Sequence, residues 1–355
     1  MSHYDVTVNL KMEAEKGSSG FGIPLIFTGK LASGSYEYTE CKTLEEVANT
    51  IGGVKPTDDD ETISSKVTTA KATNAYKAAQ LMWSQSKPPA KIAVYGSADA
   101  CTTALSKIYD KGWRQLVVAS AGEEGEDSIG DISSYIETTR KMYFCSVDDV
   151  SKASSVKGKK RTICLYSKDD NVVCPEAAIV GASSGKDAGS INYKNMIVAG
   201  IEPLELTDQQ LKAAHDAGCM VILKKAGDIV TSDGKSTSGY YIDLTDAEDW
   251  VILNLLYETQ SAMNRYDKLP YDNRGISILE NVCVGVIRKA CGMGIVALLE
   301  DEDGNEGGYD YDVHYAPRSE TTAEERSSRK YTRGQFRFTA AGAIDTCEIN
   351  GVIEI

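Results

Sequence analysis

Histidine is almost missing from this chain. Only 3 of its 355 residues are histidine, namely His3, His215 and His314. None has a second histidine at ligand spacing or a GxSxG-type nucleophile nearby, so catalysis built on them is not indicated. The nine cysteines fall at 41, 101, 145, 164, 174, 219, 283, 291 and 347, with no CxxC among them. Most lie in apolar strand or helix patterns and read as reduced core thiols, not a disulfide or zinc framework. Also missing is any apolar run approaching the ~20 residues of a membrane-spanning helix. The opening MSHYDVTVNLKMEAEK lacks the basic-then-apolar pattern of a signal peptide, so cytoplasmic synthesis without a cleaved signal is expected. Cations are in deficit as well, at 38 Lys and Arg against 52 Asp and Glu, a formal net charge of −14. That balance argues against broad binding to nucleic acid or anionic membranes, which needs clustered cations.

What remains is an ordinary soluble composition, 25% charged and 42% apolar, in a chain long enough for two or three domains. Its ends are the distinctive part. Val6, Val8, Leu10 and Met12 alternate with polar residues at one end. Cys347, Ile349, Ile353 and Ile355 share one face at the other, opposite Glu348, Asn350 and Glu354. Period-two alternation marks a half-buried strand. Two terminal strands with unpaired edges invite pairing with other chains, which suggests a polymer.

Residues 13–20, EAEKGSSG, read as a hinge containing Gly17 and Gly20, because glycine leaves the backbone free to pivot. From Phe21 onward, short apolar strands alternate with amphipathic helices. Strands are expected at 21–28, 91–95, 115–119, 142–146, 161–166, 195–199 and 219–223. Capping boxes at Thr43–Glu46 and Thr207–Gln210 open two of the helices. The expected fold is α/β, with a mainly parallel sheet covered on both faces over 21–225. After about residue 226 the pattern becomes α+β through 334. A hairpin is expected from 228–232 and 239–244, and helices are expected to be capped by Thr245 with Glu248 and by Ser277 with Glu280. Trp250, Leu253, Tyr257 and Met263 would form an apolar stripe, and extended β-arms would occupy 1–20 and 335–355.

Two segments imitate ligand motifs. Gly181–Lys186 (GASSGK) is one residue short of a P-loop, and Asp187 stands where the magnesium-binding hydroxyl belongs. Asp301, Asp303, Asn305 and Asp312 offer oxygens at calcium-loop spacing, but Glu306 replaces the required glycine. No catalytic, cofactor or metal site is assigned. The segment Arg318–Arg337 carries six cations against three glutamates, a local reversal that fits either a solvated loop or a docking surface for an acidic protein partner. Arg326, Arg329, Lys330 and Arg333 are its candidate contacts.

Gly239–Trp250 (GYYIDLTDAEDW), Asn273–Glu280 (NRGISILE), Phe336–Phe338 (FRF) and the ending Ala343–Ile355 resemble the contractile-tail sheath family. The compact length is similar to short sheaths of Gram-positive phages and phage-tail-like bacteriocins. The resemblance implies a sheath core at 226–334 and a subunit that stacks in hexameric rings around a tail tube. It also implies N- and C-terminal arms that complete sheets in neighbouring subunits, and baseplate and terminator partners. Contraction would drive the tube through a target envelope, without nucleotide hydrolysis. The protein would be made in a bacterial cytoplasm and end in a virion tail or a released particle. Strand–helix alternation alone would also permit an α/β enzyme binding a nucleotide or sugar phosphate, and a capsid or tube subunit would share the assembly behaviour.

Overall fold

The central strands are apolar along their whole length, so they must be buried on both faces. In β1 (Ile23–Thr28) all six residues are buried. Leu25 and Phe27 point to one side of the sheet and Ile26 to the other. The computed structural model describes residues 22–29, 31, 34–119, 128–169, 171–301 and 303–348. Val6, Val8, Leu10, Met12, Gly17, Gly20, Ile349, Ile353 and Ile355 lie outside the described residues.

Around β1 are β2 (Tyr36–Cys41), β3 (Ile92–Gly96), β4 (Trp113–Val118), β5 (Met142–Val147), β6 (Thr162–Tyr166), β7 (Cys219–Lys225) and β8 (Asp228–Thr231). They form one eight-stranded sheet in the order β2-β3-β1-β4-β5-β6-β7-β8. All neighbours are parallel except at its two edges, where β2 opposes β3 and β8 opposes β7. The expected mainly parallel sheet is therefore present.

One face is covered by α1 (Leu44–Gly52), α3 (Asn74–Trp83) and α6 (Glu176–Ser184), the other by α4 (Cys101–Lys107), α5 (Ile129–Glu137) and α7 (Asp208–Asp216). Local chemistry sets these helices. Thr43 accepts the Glu46 N–H at 3.2 Å to open α1, and Gly53, with φ of 61°, closes it. Thr207 and Gln210 form the complete capping box of α7. All nine residues of α6 are buried, as an apolar-all-round helix requires. The sequence reading passed over α2 (Asp60–Ala72), whose only buried residue is Ala70. Its apolar stripe is too weak to read, although Asp59 caps it on the Thr62 N–H at 2.8 Å.

Beyond β8, α8 (Ile242–Arg265) and α9 (Asn273–Gly292) pack side by side. Two small antiparallel ribbons follow, β9 (Leu298–Glu300) with β10 (Glu306–Tyr309), and β11 (Tyr311–Tyr315) with β12 (Gly334–Phe338). Between β11 and β12 lies the short α10 (Ala323–Ser327).

Several local expectations are corrected. Residues 228–232 pair backward with β7, not forward with 239–244. The cause is the two-residue turn Ala226–Gly227, both with positive φ (51° and 100°), the geometry that closes a tight hairpin. Residues 239–244 instead lead into α8, with Tyr241 at its N-cap. Thr245 is consequently inside the helix, donating to the Tyr241 carbonyl. Asp272, not Ser277, caps α9 by accepting the Arg274 and Gly275 N–H groups. Residues 195–199 make only one bridge, Ile197 against Val230, outside the parallel series. The buried line of α8 runs through Ala247, Val251 and Leu255, while Trp250, Leu253, Tyr257 and Met263 are half-buried.

Candidate assembly interface

α9 presents Cys283, Val286, Ile287 and Ala290 as one buried stripe. The β11–β12 ribbon lies on this helix, in the same apolar cluster. Its register pairs Tyr311 with Phe338, Val313 with Phe336 and Tyr315 with Gly334. Directly opposed residues share a face, and on it Tyr311, Val313, Tyr315 and Phe338 pack in the α9 cluster while Phe336 stays 38% exposed. Asp312, His314, Gln335 and Arg337 form the outer face. Gly334 is required by Tyr315, because an added Cβ would come 2.7 Å from that ring. A two-stranded ribbon is marginal alone, and α9 supplies the support. Among the described residues neither outer edge of the ribbon pairs with a third strand. Each edge therefore offers a row of main-chain donors and acceptors.

The chain leaves the body close to this ribbon. Ala297 donates to the Thr339 carbonyl at 2.8 Å and Ala341 to the Ile295 carbonyl at 2.9 Å. Asn192 holds Asp345 at 3.0 Å. Ile344 is nevertheless 87% exposed, and Cys347 is exposed as well. Residues 335–338, at the start of the segment read as a C-terminal arm, pair with β11 of their own chain.

The four candidate docking cations divide into two kinds. Arg326 donates to the Thr321 carbonyl and, at 3.1 Å, to its hydroxyl. Arg333 forms an ion pair with Glu325 at 3.0 Å. The Arg333 hydrogen bonds, then the Thr322 N–H and the Thr332 hydroxyl, hold the Glu325 carboxyl down at about 2. Both arginines thus serve the α10 loop itself. Arg329, in the left-handed region with φ of 56°, and Lys330 are exposed. Among the described residues neither is in an ion pair.

Sequence reasoning missed the knot that ties α8 to the sheet. Asp249 accepts from Arg114 at 2.7 Å, Arg140 at 2.7 Å and Arg161 at 2.7 Å. Asp246, one turn earlier, accepts from Arg114 at 2.6 Å and from the Tyr193 hydroxyl at 2.8 Å. Burial alone would push the Asp249 carboxyl up, but the three arginines outweigh it and hold it below the usual range. The legible signal was a pair of aspartates three apart on the apolar side of a helix, which needs buried partners.

The motif look-alikes have structural explanations. Gly181 sits inside α6, where an added Cβ would come 2.4 Å from the Met82 carbonyl oxygen. It is a helix-packing glycine. Asp301 accepts the Asp303 and Asn305 N–H groups, closing the β9–β10 turn, while Asp312 lies on β11 opposite Arg337. Among the described residues no group of three His, Cys, Asp or Glu is placed to hold a metal. His215 shares a hydrogen bond with Ser232 at 2.9 Å, and His314 is exposed on β11. A cleft of about 180 Å³, lined in part by Lys157, His215, Asp233 and Lys235, is smaller than the ~300–1,000 Å³ usual for ligand pockets. No helix among the described residues is long and apolar enough to cross a membrane.

This fold recurs in contractile injection machines. A chain of the anti-feeding prophage baseplate superposes with a TM-score of 0.69 over 99% of both chains, at 13% identity. A chain of the PVC sheath complex in its contracted state gives 0.63 at 11% identity, over 100% of this chain and 98% of that one. The sheath tail protein of Listeria innocua gives 0.55 at 9% identity, over 85% and 90%. No protein-family model matches the sequence, and no curated protein does. The fold is thus that of contractile-tail sheath proteins, as the residue patterns at 239–250, 273–280 and 336–338 implied.

Proposed function

We propose that this chain is a structural subunit of a contractile tail sheath, not an enzyme, and that it polymerises as stacked hexameric rings around a tail tube. The observation that carries the reading is the β11–β12 ribbon, supported by α9 and, among the described residues, unpaired on both outer edges. It occurs within a fold shared along its whole length with the contracted PVC sheath. Terminal segments of neighbouring subunits, Val6–Met12 and Cys347–Ile355, would add to those edges as strands. Each main-chain hydrogen bond so formed contributes about 0.5–1.5 kcal/mol net, so several per arm hold a lattice. Gly17 and Gly20 would let the body turn while the arms remain linked.

In this reading Arg329 and Lys330 face the tail tube, while Arg326 and Arg333 shape the loop that presents them. Baseplate and terminator proteins would bound the polymer, and the assembled particle would be a virion tail or a released injection machine. The experiment is electron microscopy of the purified full chain with tube protein, beside variants lacking 1–16 or 345–355. Tubes are expected from the full chain and folded monomers from both truncations. Long tubes from either truncated form contradict the arm model.

A further inference from the structure

Among the described residues nothing covers the β9–β10 ribbon. Every residue of both strands is exposed, and Leu298 and Leu299, on opposite faces, are each 46% exposed. Tyr309, cross-strand from Leu298, is exposed too. Glu306 stands directly opposite Glu300, a like-charge pair that weakens a sheet. The turn is nevertheless well organised, with Asp301 accepting from Asp303 at 3.0 Å and from Asn305 at 2.7 Å. A ribbon that is ordered at its tip, apolar on both faces and acidic along its rim suits a partner with an apolar centre and a cationic rim.

The far edge of the large sheet offers that pattern. Ile197, which bridges to Val230 on β8, is 60% exposed. Lys194 precedes it by three residues, and Lys225, at the β7–β8 turn, reaches the Asn195 side chain at 3.0 Å. Lys224, the residue before Lys225 on β7, is exposed, and Lys235 lies 5.0 Å over the Tyr241 ring. Among the described residues none of the four is in an ion pair. Their field is felt locally: burial first, then Lys194, Lys225 and Lys235, depress His215 against the opposing pull of Asp233.

We propose that the β9–β10 ribbon of one copy docks on the Ile197 edge of another, with its carboxylates against Lys194 and Lys225. The inference rests on the polymer reading above. It adds a contact separate from the terminal arms and from the tube-facing cations. Charge complementarity selects a second copy, because a chain of net charge −14 gains little from acidic contacts unless they meet one of its few cationic patches.

The test uses the full chain in three variants: Glu300→Lys with Asp303→Lys, Lys194→Glu with Lys225→Glu, and all four together. Glu300, Asp303 and Lys225 are exposed and Lys194 is half-buried. Each double variant should raise the concentration needed for pelletable polymer by about tenfold, and the fourfold variant should return it toward wild type, as like charges across a contact are replaced by opposite ones. Equal assembly of all forms, or a fourfold variant no better than either double, overturns the docking. A wild-type chain that stays monomeric with tube protein overturns the polymer reading and this contact with it. Carbodiimide cross-linking of mixed isotope-labelled wild-type copies gives an independent measure. Links between copies from the ribbon carboxylates to Lys194, Lys224 or Lys225 support the contact, and links only to other lysines contradict it.

Discussion

Arg114 and Asp249 meet at 2.7 Å across 135 positions of sequence, with side chains only 4% and 0% exposed. Arg114 belongs to β4 and Asp249 to α8, so this pair fixes the helical layer to the sheet. Removing Asp249 leaves Arg114 only its Asp246 partner and takes the shared carboxylate from Arg140 and Arg161, and breaking a buried pair in this way costs about 3–5 kcal/mol. Asp249→Ala should therefore lower the denaturant midpoint strongly, a loss readable by far-UV circular dichroism. The folded carboxyl is held low, so its contribution is complete above the ordinary aspartate pKa of 3.8 and falls away as pH drops below it.

Glu176 behaves in the opposite sense. It opens α6 almost fully buried, one carboxylate oxygen has no hydrogen-bond partner among the described residues, and burial pushes its pKa from 4.5 up to about 7. A raised pKa stabilises the fold fully below 4.5, and that contribution is lost as pH climbs through about 7. The difference corresponds to about 3 kcal/mol. Glu176→Gln should flatten the fall in melting temperature between pH 5 and pH 8 and stabilise the protein at the upper end. An unchanged pH profile contradicts this assignment.

Gly181 tests the helix-packing explanation of the GASSGK segment. Its missing Cβ would lie 2.4–2.8 Å from the Met82 backbone, which cannot retreat as a side-chain tip could. Gly181→Ala should destabilise by about 1–3 kcal/mol, measured by chemical denaturation. Full stability in that variant would mean that α3 and α6 do not meet here.

The cations near α10 should separate by role. Reversing Arg329 and Lys330 to glutamate should leave the melting temperature unchanged while reducing co-sedimentation with tube protein, most clearly at low salt. Reversing Arg333 should disturb the loop itself, because its Glu325 partner then faces a like charge. Loss of tube binding from Arg333 alone, with Arg329 and Lys330 silent, contradicts the division.

The strand–helix alternation was legible because each core strand is a short apolar run and each covering helix carries a cap or stripe. Thr207–Gln210 reads directly from sequence because the contact spans only three residues. The hairpin at 228–244 was misread because both pairing choices satisfy the same alternation. The positive φ at Ala226 that settles it leaves no composition signal. The Arg114–Asp249 joint is a long-range contact, and nothing local marks Arg114 in WRQLVV as buried. Of the four candidate docking cations, sequence showed the charge reversal but not that Arg326 and Arg333 are bound within their own loop.

Helical reconstruction of the assembled polymer, at a resolution that traces main chain, measures the central claim most directly. Strands from other copies should lie against the free edges of β11 and β12, extending the two-stranded ribbon on α9. If residues 349–355 instead turn back to pair within the same subunit, and both edges stay bare in the polymer, subunit linkage by lent strands is wrong.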